Sequence, residues 1–200
     1  MENKQRRRGR AAIGWIKASN AILKLELRVA GLMMAALISA ILTNVVTRYA
    51  GVPLYWIDEL AVIILVWLAF IGASAMSRLR LDFAITFLAD AAPPALSRTI
   101  RMGSLLLVLS FGLALFFMCW LWLDPVGILG AGLDGRALAA RTFNFLYTER
   151  TMTLGWPRWA VMVVVPIFAV TLTLHTIASL LEEAFRFERT AMSGFEEANI

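Results

Sequence analysis

Residues 103–123 read GSLLLVLSFGLALFFMCWLWL, a run of 21 residues without an Asp, Glu, Lys or Arg. A helix needs about 20 mostly apolar residues to cross the ~30 Å hydrocarbon core of a bilayer, so this run is long enough to span a membrane. Three further apolar runs, equally free of charged side chains, lie at residues 29–46, 60–76 and 159–181. The sequence therefore predicts four membrane spans.

The composition agrees with this prediction. Of the 200 residues, 60% are hydrophobic and 16% are charged, which is far more apolar than a soluble domain of this size. Lipid cannot hydrogen-bond to backbone amides, and no segment alternates with the period of two that a membrane β-barrel shows. We therefore predict an all-α membrane protein with spans at about residues 29–49, 59–77, 102–123 and 158–181. A basic segment, 1–28, precedes the first span, which we expect to be uncleaved, and a tail, 182–200, follows the last.

The distribution of Lys and Arg indicates the orientation. If the N-terminus is cytoplasmic, 14 of the 19 Lys and Arg residues lie on the cytoplasmic side. Because basic residues favour that side, we expect both termini there. Five of the seven tryptophans then fall at outer ends of spans, where the headgroup level favours amphipathic rings: Trp56, Trp120, Trp122, Trp156 and Trp159. Topology and phospholipid partners explain the net charge of +5, and no nucleic-acid partner is expected.

The connecting segments also carry patterns. Residues 15–28 place apolar side chains at helical spacing among Lys17, Lys24 and Glu26, as expected of a basic interfacial helix that turns into the first span. Residues 79–91 predict a second amphipathic helix, which is either an ordinary loop helix or a brace for a partner. The long connection 124–158 is Gly-rich at first and then predicts a short helix over 136–147. It either contacts an external partner or caps the bundle.

The residue inventory gives no sign of catalysis. The single cysteine, Cys119, excludes an intramolecular disulfide and a paired-thiol metal site, and we predict no catalytic residue, metal or cofactor. The single histidine, His175, shares a stripe of the fourth span with Thr171 and Ser179. It is either a relay or ion site or a hydrogen-bonded packing contact, and packing is favoured because none of the four apolar runs contains a carboxylate. Pro166 is expected to kink the same span.

The absence of carboxylates from the four apolar runs favours an accessory subunit over a self-contained carrier or exporter, since carriers usually need such groups or broken helices at mid-membrane. The alternative is a four-span membrane assembly factor or membrane enzyme subunit unrelated to transport. Such a protein should cluster acidic or histidine side chains at one membrane face. The acidic pairs Asp58-Glu59 and Glu182-Glu183 instead lie at opposite predicted faces.

The most distinctive stretch is RYAGVPLYWIDELA at residues 48–61, followed by LVWLAFIGA at 65–73 and SRLRLDF at 77–83. Asp58 and Glu59 lie in the first turn of the second span, where free amide donors and the helix dipole favour negative charge. Arg48, at the end of the first span, is a candidate ion-pair partner for one of them.

Residues 44–90 resemble the small permease subunit, DctQ type, of tripartite ATP-independent periplasmic (TRAP) transporters. The resemblance implies a non-enzymatic, multi-pass subunit of the bacterial inner membrane. It would form a heterodimer with a large permease subunit and scaffold it, while a periplasmic binding protein delivers an organic acid for sodium-coupled uptake. Sodium and substrate sites would belong to the partner chain.

The resemblance also suggests site residues at the subunit interface or the periplasmic rim. These are Arg48, Trp56, Asp58, Glu59, Trp67, Arg78 and Asp82. The alternative is that the residues around the start of the second span only anchor and cap it.

Overall fold

The computed structural model describes residues 2–80, 87, 89 and 91–185. These residues form α1 (Glu2–Tyr49), α2 (Tyr55–Leu79), α3 (Pro94–Leu123), α4 (Pro125–Gly130), α5 (Gly135–Thr142), α6 (Arg158–Met162) and α7 (Val164–Phe185). Within these ranges there is no β-strand, only an isolated antiparallel bridge between Arg150 and Pro157. The all-α prediction is confirmed.

Four helical stretches are long and apolar enough to cross a membrane. They are Ala12–Tyr49, Tyr55–Leu79, Leu96–Gly130 and Arg158–Phe185, and each contains an 18-residue segment with a mean hydropathy between 2.1 and 2.4. Each predicted apolar run falls within one of them, so the prediction of four spanning helices is confirmed. The cytoplasmic location of both termini stays a prediction.

Helix α1 runs without interruption from Glu2 to Tyr49. The predicted turn between an interfacial helix and the first span is therefore wrong. The segment contains no proline, and the residues around position 28 are mostly strong helix formers, so nothing breaks the hydrogen-bond ladder. Between residues 12 and 26, one face of α1 is buried: Ala12, Ser19, Leu23 and Glu26.

The chain divides into two compact units. Unit one comprises the described parts of Met1–Arg28, Gly72–Leu113 and Ala169–Ile200, and unit two comprises Val29–Ile71 and Ala114–Phe168. In unit one α3 passes close to α7, because a Cβ at Gly112 would lie 2.7 Å from Thr173 Oγ1. Most residues of the predicted amphipathic helix 79–91, including Asp82, lie outside the described residues.

The fourth span is divided into α6 and α7 by Val163. Pro166 has no N–H with which to reach the carbonyl of Met162, and its ring crowds that carbonyl. The distortion expected at Pro166 thus takes the form of a break in the helix just before the proline.

The long third connection, in unit two, is well structured. The Asp124 carboxylate caps α4 by accepting a 2.9 Å hydrogen bond from Gly127 N, and Asp134 caps α5 through Arg136 N at 2.8 Å. Helix α5 corresponds to the predicted helix 136–147 but ends at Thr142. The buried apolar residues of the third connection are Ile128, Leu138, Ala139 and Leu146.

Candidate functional site

A polar cluster in unit two joins the end of α1 to the first turn of α2. Arg48 Nη2 donates to Asp58 Oδ2 at 2.6 Å, and Asn44 Nδ2 donates to Asp58 Oδ1 at 2.5 Å. Arg48 Nε also donates to Asn44 Oδ1 at 3.1 Å, which closes the triangle. The predicted ion pair of Arg48 is confirmed. The side chains of Arg48 and Asp58 are both about half exposed. The ion pair therefore orients the end of α1 relative to the start of α2 more than it contributes to stability.

The neighbouring carboxylate, Glu59, has a different partner: the turn formed by residues 152–154, which precedes α6. Glu59 Oε1 accepts from Met152 N at 2.8 Å, and Oε2 accepts from Thr153 N and Leu154 N, each at 2.8 Å. The Thr153 hydroxyl donates to the same Oε2 at 2.6 Å. Consecutive backbone N–H groups that converge on one point form an anion-binding concavity, filled here by a side chain of the same protein. Glu59 therefore fixes this turn to the start of α2.

The two predicted tryptophan positions differ in their surroundings. Trp67 Nε1 donates to the carbonyl of Val161 at 2.8 Å, beside the break between α6 and α7. One turn later, the rings of Phe70 and Phe168 lie 5.3 Å apart. Trp56 is 43% exposed in the first turn of α2. Trp67 therefore joins α2 to α6, whereas Trp56 lies at the surface.

The end of α3 is capped by the third connection. The Tyr147 hydroxyl donates to the carbonyl of Leu123 at 2.5 Å, and Asn144 Nδ2 donates to the carbonyl of Trp122 at 2.8 Å. Burial, with a smaller contribution from the charge of Asp124, raises the pKa of Tyr147. Tyr147 therefore keeps the proton that it donates, and two carbonyls that α3 leaves without helical partners are satisfied.

A second polar cluster, in unit one, surrounds Arg78 in the last turn of α2. Arg78 Nη1 donates to Glu182 Oε2 at 2.9 Å and Nη2 donates to Asn20 Oδ1 at 2.8 Å; Nη2 also pairs with Glu182 Oε1. The Arg78 and Glu182 side chains are each 1% exposed. Arg80 donates to Glu183 Oε2 at 3.1 Å and to the Ser179 carbonyl at 2.6 Å. Arg78, predicted from the sequence to lie at an interface or rim, is thus buried against α1 and α7.

Next to this cluster lies a hydrogen-bonded network centred on His175. His175 Nδ1 lies 2.7 Å from Ser19 Oγ, and Nε2 lies 3.0 Å from Glu26 Oε2. Ser74 Oγ donates to Glu26 Oε1 at 2.7 Å and lies 2.8 Å from Thr171 Oγ1. The assumption that no carboxylate approaches His175 is wrong, because α1 continues as a packed helix and brings Glu26 against α7. His175 forms contacts between helices, as the favoured interpretation expected.

Residues 37–186 match the model of the family described as "Tripartite ATP-independent periplasmic transporters, DctQ component". The chain belongs to this family. The match includes the last part of α1 and all of α2 to α7, so the resemblance drawn from residues 44–90 is confirmed. No curated protein matches the chain.

This DctQ component is therefore a small membrane subunit of a TRAP transporter. The family is a transporter component family and not an enzyme family, which contradicts the alternative of a protein unrelated to transport. Among the residues that the structure describes, no group of three or more His, Cys, Asp or Glu side chains could hold a metal ion. The two clusters instead hold helices together.

The contacts of Glu26 and Glu182 within the bundle of the DctQ component were not predicted from the sequence. One signal was available, because Thr171, His175, Ser179 and Glu182 recur at helical spacing and form one polar stripe of α7. Ser74 and Arg78 repeat the four-residue spacing on α2. Of the predicted site residues, the structure pairs Arg48 with Asp58 in unit two, while Glu59 binds the turn 152–154. Trp67 lies farther along α2, and Arg78 is part of unit one.

Proposed function

We propose that this DctQ component is the scaffold for a large permease subunit in the bacterial inner membrane. The pair takes up an organic acid that a periplasmic binding protein delivers, and a sodium gradient drives the uptake. The family supports these partners, since its members are components of tripartite transporters. Sodium coupling and the substrate class follow from the resemblance and are expected to reside in the large subunit.

The observation that carries the scaffold proposal is the surface of α1 in unit two. Within the part of the chain that the structure describes, a narrow stripe of this helix is covered, centred on the buried Leu37. The remaining circumference is apolar and uncovered, with exposures of 73% for Leu32, 51% for Ile38, 61% for Leu42 and 65% for Val46. A spanning helix with so little intrachain packing offers a wide face to the membrane or to another subunit.

A row of small residues on this face favours another subunit. Gly31, Ala35, Ser39 and Thr43 follow one another at intervals of four residues, and all are exposed. A Cβ at Gly31 would have no atom within 4 Å. The hydroxyls of Ser39 and Thr43 each donate to their own helix at 2.8 Å, so the row presents no free polar group. Rows of small residues allow two membrane helices to approach each other closely, whereas a surface that contacts only lipid does not require them.

The ionisable side chains within the bundle support the same division of labour. Arg78, Glu182, Glu26 and His175 form bonds with one another or with their own chain. Groups that carry a transported ion or substrate must exchange partners during transport. In this chain the ionisable side chains hold α1, α2 and α7 together. This is expected of a subunit that supports the transporting subunit.

The experiment compares two substitutions at neighbouring exposed positions of α1. The tagged chain is purified in mild detergent from cells that carry the transporter, and the co-purified large permease is quantified by mass spectrometry. Ala35→Leu fills the small-residue row and should reduce the recovered permease several-fold. Ala36→Leu adds the same bulk about 100° around the helix, outside the row, and should leave recovery near that of wild type.

Two results would contradict the proposal. Recovery of the wild-type chain as a homo-oligomer without a large permease would remove the scaffold role itself. Equal recovery of the permease with Ala35→Leu and Ala36→Leu would exclude the small-residue row as the contact.

A further inference from the structure

One segment of the third connection is unusually apolar for a chain that has left its span. Residues 125–133 read PVGILGAGL and contain no polar or charged side chain. They form α4 and the turn after it. Val126 and Leu129, one turn apart, are 69% and 68% exposed, and Leu133 is 71% exposed, while Ile128 is 8% exposed. The segment thus uses one apolar side chain for its own packing and presents three to its surroundings.

Several backbone N–H groups of this segment are hydrogen-bonded within it or to Asp124. Gly127 N is bonded to the Asp124 side chain, Ala131 N to the Gly127 carbonyl at 2.9 Å, and Leu133 N to the Ile128 carbonyl at 2.9 Å. Gly132 N and Asp134 N also find carbonyls within the segment, at 3.0 and 3.2 Å. An apolar environment demands such satisfaction, because it offers backbone amides no partners. In water, unpaired backbone amides can instead hydrogen-bond to the solvent.

The neighbouring residues indicate which apolar environment this is. Helix α4 is the last part of the helical stretch Leu96–Gly130, which is long and apolar enough to cross a membrane. Trp120 and Trp122, in the last turn of α3, are 50% and 41% exposed, and exposed tryptophans at the end of a span mark the headgroup level. Apart from Asp124, whose carboxylate caps α4, no charged residue lies between Arg101 and Asp134. The exposed side chains of Val126, Leu129 and Leu133 therefore lie near the level of the headgroups. They adjoin the exposed apolar surface of α3.

We propose that residues 125–133 lie in the membrane interface where α3 ends, with Val126, Leu129 and Leu133 among the upper acyl chains of the phospholipids. The segment then anchors the third connection to the bilayer. A protein partner is the competing occupant. Lipid is favoured because the exposed face adjoins the end of a span, beside the exposed Trp120 and Trp122 that mark the headgroup level. The proposal rests on the span α3 and not on the scaffold role.

The test places an environment-sensitive fluorophore on single cysteines in the full-length chain with Cys119→Ala. Leu129→Cys and Val126→Cys report on the segment. Met152→Cys is the control, because Met152 lies in the same connection and is 97% exposed. The labelled proteins are reconstituted in vesicles of phosphatidylcholine and phosphatidylglycerol. Quenching is measured with a nitroxide on the upper acyl chain and, separately, with iodide on both sides of the membrane.

We expect fluorophores at positions 129 and 126 to be quenched by the nitroxide lipid and several-fold less by iodide than the fluorophore at position 152. Iodide quenching equal to that at position 152 would overturn the proposal. So would shielding that appears only when the large permease is reconstituted with the chain, because it would assign the surface to that protein. If one segment variant does not fold, the other carries the test.

Discussion

At the scale of single residues, two carboxylates of this subunit do different structural work. Glu59 organises a surface turn through backbone donors, whereas Glu182 neutralises a buried guanidinium. Each has its main partner on a different helix or connection from its own. Their removal should therefore have distinguishable effects.

Glu59→Gln should loosen the turn formed by residues 152–154, because an amide cannot accept with both of its ends and carries no charge. We expect the backbone amides of these three residues to exchange with deuterium several-fold faster, as measured by mass spectrometry of peptides covering 150–156. Asp58→Asn, which changes the adjacent carboxylate, should leave their exchange unaltered. Unchanged exchange in Glu59→Gln would show that the turn does not depend on this carboxylate.

Arg78→Met should destabilise the subunit by about 3–5 kcal/mol, because it leaves the Glu182 charge buried with reduced compensation. The melting temperature in detergent should fall accordingly. The double variant Arg78→Met with Glu182→Met should recover part of the loss, since two apolar side chains can replace a buried ion pair.

Glu183→Gln serves as the control for this pair. It affects a partly exposed contact with Arg80 and should cost less than about 1 kcal/mol. A melting temperature of Arg78→Met equal to that of wild type would refute a stabilising role for the buried cluster.

How far sequence predicts such contacts depends on the distance along the chain. Arg48 and Asp58 are ten residues apart across a short loop between two recognisable helix ends, so their pairing could be anticipated. Glu59 and its turn are separated by 93 to 95 residues, and Glu26 and His175 by 149. Those contacts depend on which helix faces meet, which hydropathy does not encode.

At the scale of elements, the continuity of α1 changes the picture of the N-terminal region. Residues 15–28, predicted to form an interfacial helix that turns into the first span, continue into it as one helix and pack through Ser19, Leu23 and Glu26 within unit one. Amphipathic spacing alone could not distinguish these outcomes, because a packed helix and an interfacial helix show the same period.

Val29→Pro tests this continuity. Within an unbroken helix the substitution removes the hydrogen bond from residue 29 to the carbonyl of Leu25 and should cost ~3 kcal/mol or more. At a turn between two helices it would be tolerated. Val29→Ala controls for the loss of the side chain. Comparable melting temperatures for the two variants would argue against a continuous α1.

Trp67→Phe tests the link between α2 and the broken fourth span. A six-membered aromatic ring is retained, but the five-membered ring and its N–H donor to the Val161 carbonyl are lost, so we expect a destabilisation of at least about 1 kcal/mol. Trp56→Phe removes an indole N–H from a more exposed position in the same helix and should change the melting temperature less. Equal shifts for the two variants would remove the Trp67 hydrogen bond as a stabilising contact.

At the scale of the whole molecule, local hydropathy was sufficient to predict the four spans, because crossing a bilayer demands apolar length whatever the tertiary fold. It could not predict the two packing units or the folded third connection. Helix α4 illustrates the reason: its glycines favour a loop, and the Asp124 cap with the following turn bonds makes a helix of them.

The orientation can be tested on the intact subunit with a membrane-impermeant maleimide. In a chain with Cys119→Ala, Met152→Cys should react in right-side-out membrane vesicles and be protected in inverted ones. Arg98→Cys, an exposed position near the start of α3, should show the opposite pattern. The reverse result for both positions would place the termini outside.

The contact between Glu26 and His175 also has a consequence for biosynthesis. The histidine is synthesised 149 residues after the glutamate, a delay of about 7–30 s at ~5–20 residues per second. During that interval the carboxylate has no imidazole beside it, and lipid would penalise its charge. We therefore expect the N-terminal part of α1 to remain near water until the last span has been synthesised. The packing of the first span is completed only then.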